Sequence, residues 1–329
     1  MSRWLVLISL STIVLAACSA AVVDVTPPEG GSTSASAAEP TASDSPPEDT
    51  APAPTVAPTD TAPEEDTAPV DTGNPAADSA AGDDRCLPDG VRFRTSYWPQ
   101  TDFCQYSIDF SEVLSGGPPP DGIPALDDPQ FVSIADADAW LADVEPVISF
   151  EHEGDVRAYP LQILIWHEIV NDTVGGLPVS VTFCPLCNAT IVFDRTVDGT
   201  VLDFGTSGNL RNSDLIMYDR QTQSWWQQFT GESIVGAYNG TRLTFLPAGI
   251  VSWADFKAEH PDGQVLSQDT GYGRSYGSNP YAGYDRIDSR PFLYAGELDG
   301  RLPPMARVAA IEVNPDTFVA FPFQTMEQV

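Results

Sequence analysis

Apolar and polar residues alternate through much of the second half of the chain, and turn-forming pairs break the alternation at short intervals. VISFEHEGDVRAYP (147–160) reads as two strands around a turn at Glu153-Gly154-Asp155. HEIVND (167–172), a Gly175-Gly176 turn, VSVTF (179–183), a CPLCN loop (184–188) and ATIVFDR (189–195) repeat that logic. It continues through Asp198-Gly199, VLDFG, LIMYDR, QSWWQQFT and an Asn239-Gly240 turn into RLTFL. Asp-Gly and Asn-Gly between alternating runs are hairpin signals, because they accept the positive φ that a tight turn needs. Two helices are expected. One follows Ser133 through ADADAWLADV; the other starts at Ser252, with Asp255 in its first turn, and stops before Pro261. The pattern predicts an α+β, β-dominated domain over 85–329, with largely antiparallel sheets built from hairpins and a few short helices.

The first half is built differently. Arg3 precedes the apolar run WLVLISLSTIVLAA and then Cys18. That run is shorter than the roughly 20 apolar residues of a membrane span and fits a signal peptide over 1–17. Its ending, LAAC-S, resembles a bacterial lipobox, which implies cleavage before Cys18 and lipidation of its sulfur; ordinary cleavage near Ala20 is the alternative. Residues 19–84 carry no basic residue and no aromatic one, and are rich in Pro, Ala, Thr, Ser, Asp and Glu. Such a segment has no apolar face to offset its ordering entropy, so 18–84 reads as a disordered tether. The expectation is a cell-envelope protein, held to a membrane by its N-terminal lipid, with the domain outside the cytoplasm.

Charge narrows the partners. The 329 residues hold 15 Lys+Arg against 47 Asp+Glu, a formal net charge of −32. Nucleic acid is excluded as a partner, because phosphate contacts need a basic face.

Besides Cys18 there are four cysteines. In an oxidising compartment Cys86 and Cys104 are expected to pair as a staple, worth about 3 kcal/mol by loop-closure entropy. Cys184-Pro185-Leu186-Cys187 is the informative pair. Two thiols three residues apart on a turn suit a redox-active dithiol, half of a metal site, or a structural disulfide, and all three readings stand. His167 is expected near the same end of the 167–183 hairpin as Cys184. Cys184, Cys187 and His167 then form a candidate catalytic or metal-binding set, completed by Met217 or Glu168. Such a set suits zinc or copper.

Other residues are candidates for binding. The polar stretch 205–214 reads as a loop that walls a site, with Asn209, Arg211 and Asp214, or else as a turn held by its own side chains. Trp225 and Trp226 are adjacent on a strand and point to opposite faces, so Trp226 can meet a ligand across a cleft or a second core layer. TGYGRSYGSNPYAGY (270–284) has no helix or strand signal and carries Arg274 and Tyr276. Such a loop can act as a lid.

Taken in order, WHEIVND (166–172), VTFCPLCN (181–188), FGTSGNLRNSDLIMYDR (204–220), SWWQQFTGESIVG (224–236) and Ser252-Trp253, Phe256, His260-Pro261 resemble an uncharacterised prokaryotic family, domain of unknown function 3179. The likeness covers most of residues 130–300. It implies an often exported domain and no particular activity. Two functions are therefore carried forward. One is an extracytoplasmic thiol-redox or metal-binding protein centred on CPLC. The other is a non-catalytic surface binding module for glycan or protein, in which the cysteines are purely structural.

Overall fold

The structure, a computed structural model, describes residues 84–326 apart from 285, 295, 315 and 316. The signal peptide, the Cys18 lipid site and nearly all of the tether lie outside the described residues.

Three sheets carry the fold. The first runs Val113–Ser115, Phe204–Arg211, Asp214–Asp219, Trp225–Gln227 and Glu232–Val235, in that spatial order. The second runs Thr244–Leu246, Ala189–Asp194, Leu177–Cys184 and Ile169–Val174. The third runs Gly249–Ser252, Pro146–His152, Asp155–Pro160, Gln264–Leu266 and Phe131–Ser133. Pairing is antiparallel except where Gln264–Leu266 lies parallel to Asp155–Pro160. The β-dominated, mostly antiparallel expectation is met, and most of the predicted hairpins form as read. In the second sheet Ile169 faces Thr182 and Val174 faces Leu177.

Both expected helices form where their caps are. Ser133 Oγ accepts from the Asp136 N–H at the head of Ile134–Ala137, and Ser252 Oγ accepts from the Asp255 N–H at 3.1 Å at the head of Trp253–Glu259. The first is a single turn, shorter than the polar-apolar pattern through Val144 suggested. Two helices were not anticipated: Leu161–His167 and Phe323–Met326. The first hides in a near-continuous apolar run, in which neither strand nor helix periodicity stands out. Its side chains Ile163, Leu164 and His167 are buried.

The stretch 205–214 is a correction. It is not a loop but a hairpin, made by the end of Phe204–Arg211 and the start of Asp214–Asp219. The register shifts between Thr206 and Leu210, so a bulge interrupts the ladder there. Asn212 and Ser213 have φ of 53° and 68°. Positive φ at both central residues is what a two-residue hairpin turn needs, and Asn supplies it without glycine.

The core lies in several buried clusters. Trp225 is packed by Phe93, Trp98 and Phe103, with ring centroids 4.9, 5.3 and 5.4 Å away. Cys86 and Cys104 are bonded at the edge of that region, with Cα atoms 5.0 Å apart. A second cluster joins Cys184 to Phe204, Met217 and Trp226, and so links the CPLC turn to the first sheet.

Candidate functional site

Cys184 is the last residue of Leu177–Cys184, and the next strand begins at Ala189, which pairs with it. The CPLC motif is therefore a hairpin tip. The Cys187 N–H donates to the Cys184 carbonyl at 3.2 Å, and Asn188 leaves the turn with φ 48°. This tight turn sets the two sulfurs 3.1 Å apart, well beyond the 2.03–2.05 Å of a disulfide. Gln228 locks the base of the hairpin to the first sheet: its side-chain N–H donates to Thr182 Oγ1 at 2.8 Å and to the Ala189 carbonyl at 3.3 Å.

The third member comes from the first sheet. The Asn212-Ser213 turn aims Asp214 at the hairpin tip, so that the Cys187 thiol donates to Asp214 Oδ1 at 3.2 Å. The other oxygen, Oδ2, accepts from Gln227 Nε2 and from the Phe229 N–H. These donors hold the carboxylate in one orientation. The ligand atoms of Cys184, Cys187 and Asp214 all lie within 4.8 Å of one another.

The electrostatics are one-sided. Burial pushes the Cys184 thiol up, and the Asp214 and Glu168 charges add to this. Cys187 rises chiefly through its bond with Cys184 and then through burial. Burial likewise raises Asp214. Glu168 is raised from its ordinary 4.5 to about 8, by burial first and then by Asp214. The largest influences on these four groups are burial, thiols, carboxylates, an amide and backbone N–H groups.

Glu168 arrives there by a backbone device. It ends the helix Leu161–His167 with φ 61°, and its carbonyl accepts from the Phe183 N–H at 2.8 Å, one residue from Cys184. Non-glycine residues occupy this conformation at a cost, most often where the side chain is needed.

His167 is not part of the cluster, which corrects the expected Cys184, Cys187 and His167 set. Its Nδ1 donates to the Pro124 carbonyl at 2.7 Å, which leaves Nε2 to accept from the Tyr276 hydroxyl at 2.6 Å. Burial holds its pKa down at about 4, so the ring is neutral. The hairpin does bring residues 167 and 184 to the same end, but the helix turns the imidazole away from the sulfurs. Met217 is fully buried in the cluster beneath.

The binding candidates divide. Asp214 joins the cysteines. Arg211 instead pairs with Glu112 at 2.7 Å, and Asn209 is buried beside the bulge. Trp226 has no exposed surface, and its Nε1 donates to Asp219 at 2.9 Å. Trp225 is equally buried, so the second core layer, and not a cleft, accounts for the pair. Arg274 and Tyr276 belong to the 270–284 loop, which has no helix or strand and is tied to His167 by the Tyr276–His167 bond.

The pattern described as a protein of unknown function, DUF3179, matches residues 120–329. The chain belongs to the DUF3179 family. No curated protein and no solved structure matches it.

The DUF3179 region is wider than the expected 130–300 and holds every residue of the thiol-carboxylate cluster. The Cys86–Cys104 bond lies before it. Tyr281, in the 270–284 loop, is partly buried. Burial raises its phenol, with Glu168 and Cys184 adding to the shift.

Proposed function

We propose that this protein is a lipid-anchored, extracytoplasmic DUF3179 protein whose domain binds one thiophilic divalent cation through Cys184, Cys187 and Asp214. One observation carries the reading: two thiols and a carboxylate converge within 4.8 Å in a largely buried place. Burying several acidic groups together is costly unless they stay protonated or a positive ion joins them. A Cys₂-carboxylate set suits zinc. Copper(I) prefers thiolate and thioether donors alone, so the carboxylate favours zinc over copper. Metal binding would also reverse the thiol shifts, since a coordinated thiol gives up its proton.

A redox pair is the second reading. The 3.1 Å sulfur separation on a tight turn favours it. The charge environment opposes it, because redox-active thiols sit where a helix N-terminus or a cation lowers the pKa, and here both are raised. A glycan-binding role loses its main support, because neither Trp225 nor Trp226 reaches the surface.

Elemental analysis of the full chain, purified under reducing conditions, tests the reading. One zinc per chain is expected, and the Cys184→Ser/Cys187→Ser pair should lose it with the fold intact. Zinc-free protein that takes up none on titration would overturn it. Lipid anchoring is tested separately: Cys18→Ser should move the protein from the membrane to the soluble fraction.

A further inference from the structure

We infer that Cys184 and Cys187 form a zinc site that oxidation discharges: a disulfide oxidant joins the two sulfurs in one bond, and the ion is released. This rests on the metal reading above and goes beyond it, from holding the cation to giving it up by thiol–disulfide exchange.

The geometry stands between the two states. The sulfurs are 3.1 Å apart on one turn. A disulfide needs about 2.0 Å, and two thiolates on one tetrahedral zinc sit about 3.8 Å apart, given a Zn–S bond of about 2.3 Å. Either state is thus reached by a sulfur shift of about 1 Å or less. The same chain shows both fates for a thiol pair, since Cys86 and Cys104 are bonded while Cys184 and Cys187 are free.

The third ligand does not depend on the sulfurs. Asp214 Oδ1 accepts from the Cys187 thiol at 3.2 Å, and Oδ2 accepts from Gln227 Nε2 and from the Phe229 N–H. When the sulfurs join, the first bond is lost and the other two remain. The carboxylate is therefore not stranded when the ion leaves.

Burial sets the order of attack. Cys184 is 1% exposed, whereas Cys187 is only partly buried, so an oxidant meets Cys187 first. Coordination has already taken the thiol protons, which answers the charge objection to a redox pair. The Cys187 thiolate attacks one sulfur of the disulfide oxidant, and one thiolate of that oxidant leaves. Cys184 then attacks the Cys187 sulfur of the mixed disulfide, and the second thiolate leaves. Two protein thiolates have given two electrons to the oxidant's S–S bond. Zinc keeps one carboxylate ligand and departs.

Oxidised glutathione, added to the zinc-loaded full chain with a chromophoric chelator present, tests this. Peptide mass mapping of 184–187 runs alongside. The parent should release one zinc per chain and gain the Cys184–Cys187 bond, with no glutathione left on either residue. Cys184→Ser should trap glutathione on Cys187. Cys187→Ser should take up glutathione on Cys184 about tenfold more slowly, because access limits the exchange. Zinc retained by a parent that forms no such bond would overturn the discharge and leave the metal reading standing. The bond formed with zinc still held would overturn the discharge and the cysteine ligands together. Equal trapping by the two variants would overturn the order of attack. A parent that never takes up zinc would overturn the metal reading, and the discharge with it.

Discussion

The Cys187 thiol donates to Asp214 Oδ1 at 3.2 Å across 27 residues of sequence, and this contact joins two different sheets. Each partner is delivered by a hairpin tip: the CPLC turn of the second sheet and the Asn212-Ser213 turn of the first. Asp214→Asn keeps the shape and removes the charge. It is expected to lower zinc affinity at least tenfold, with little change in the melting temperature of the metal-free protein. Competition with a chromophoric chelator measures the first, and a thermal melt the second.

Glu168 and His167 are neighbours with opposite pH signatures. The folded-state pKa of Glu168 is raised from 4.5 to about 8, so its stabilising contribution is present below 4.5 and lost as pH rises toward 8. That of His167 is lowered from 6.5 to about 4, so its contribution is present above 6.5 and lost as pH falls toward 4. Melts of metal-free protein across this range should show Glu168→Gln flattening the alkaline loss. His167→Gln should flatten the acid loss. Identical profiles for Glu168→Gln and the parent would remove the buried, unbalanced carboxyl from the account.

The Tyr276 hydroxyl donates to His167 and accepts from Thr270, and so pins the 270–284 loop. Tyr276→Phe should cost about 1 kcal/mol, the usual value of one such bond. Limited proteolysis should then cut the loop sooner than in the parent. The zinc content should not change, because no ligand has been touched.

Gly208 has φ 73°, and a Cβ there would lie 2.0 Å from the Pro118 carbonyl oxygen. The Gly116 N–H donates to the Gly208 carbonyl at 2.8 Å, so the 116–122 segment lies against the bulge. Gly208→Ala should cost more than the roughly 1–2 kcal/mol of the left-handed backbone alone, because the segment must also move. A denaturant midpoint unchanged from the parent would contradict this.

Turn pairs and alternation were enough to foresee the sheets, because a hairpin is a local object and its residues lie close in sequence. Ser133 and Ser252 announced their helices for the same reason: a cap acts within three residues. Leu161–His167 was illegible, since an apolar run is equally consistent with a buried strand or helix. The stretch 205–214 looked like a loop because its polar side chains are buried by a neighbouring segment that the local pattern does not reveal.

The site divides along the same line. That Cys184 and Cys187 share a tight turn is legible from their spacing, since two thiols three residues apart on a hairpin tip have few other arrangements. The turn signals likewise place residue 167 at their end of the hairpin. Which side chain meets the sulfurs depends on how the helix and the sheets pack. One helical turn and a positive φ send His167 toward Pro124 and Tyr276 and set the Glu168 carbonyl on the Phe183 N–H, next to Cys184. The packing of the first sheet against the second then delivers Asp214. Direction along a strand is set by local periodicity, but proximity across sheets is set by how whole layers pack, and that is a sum over many distant residues.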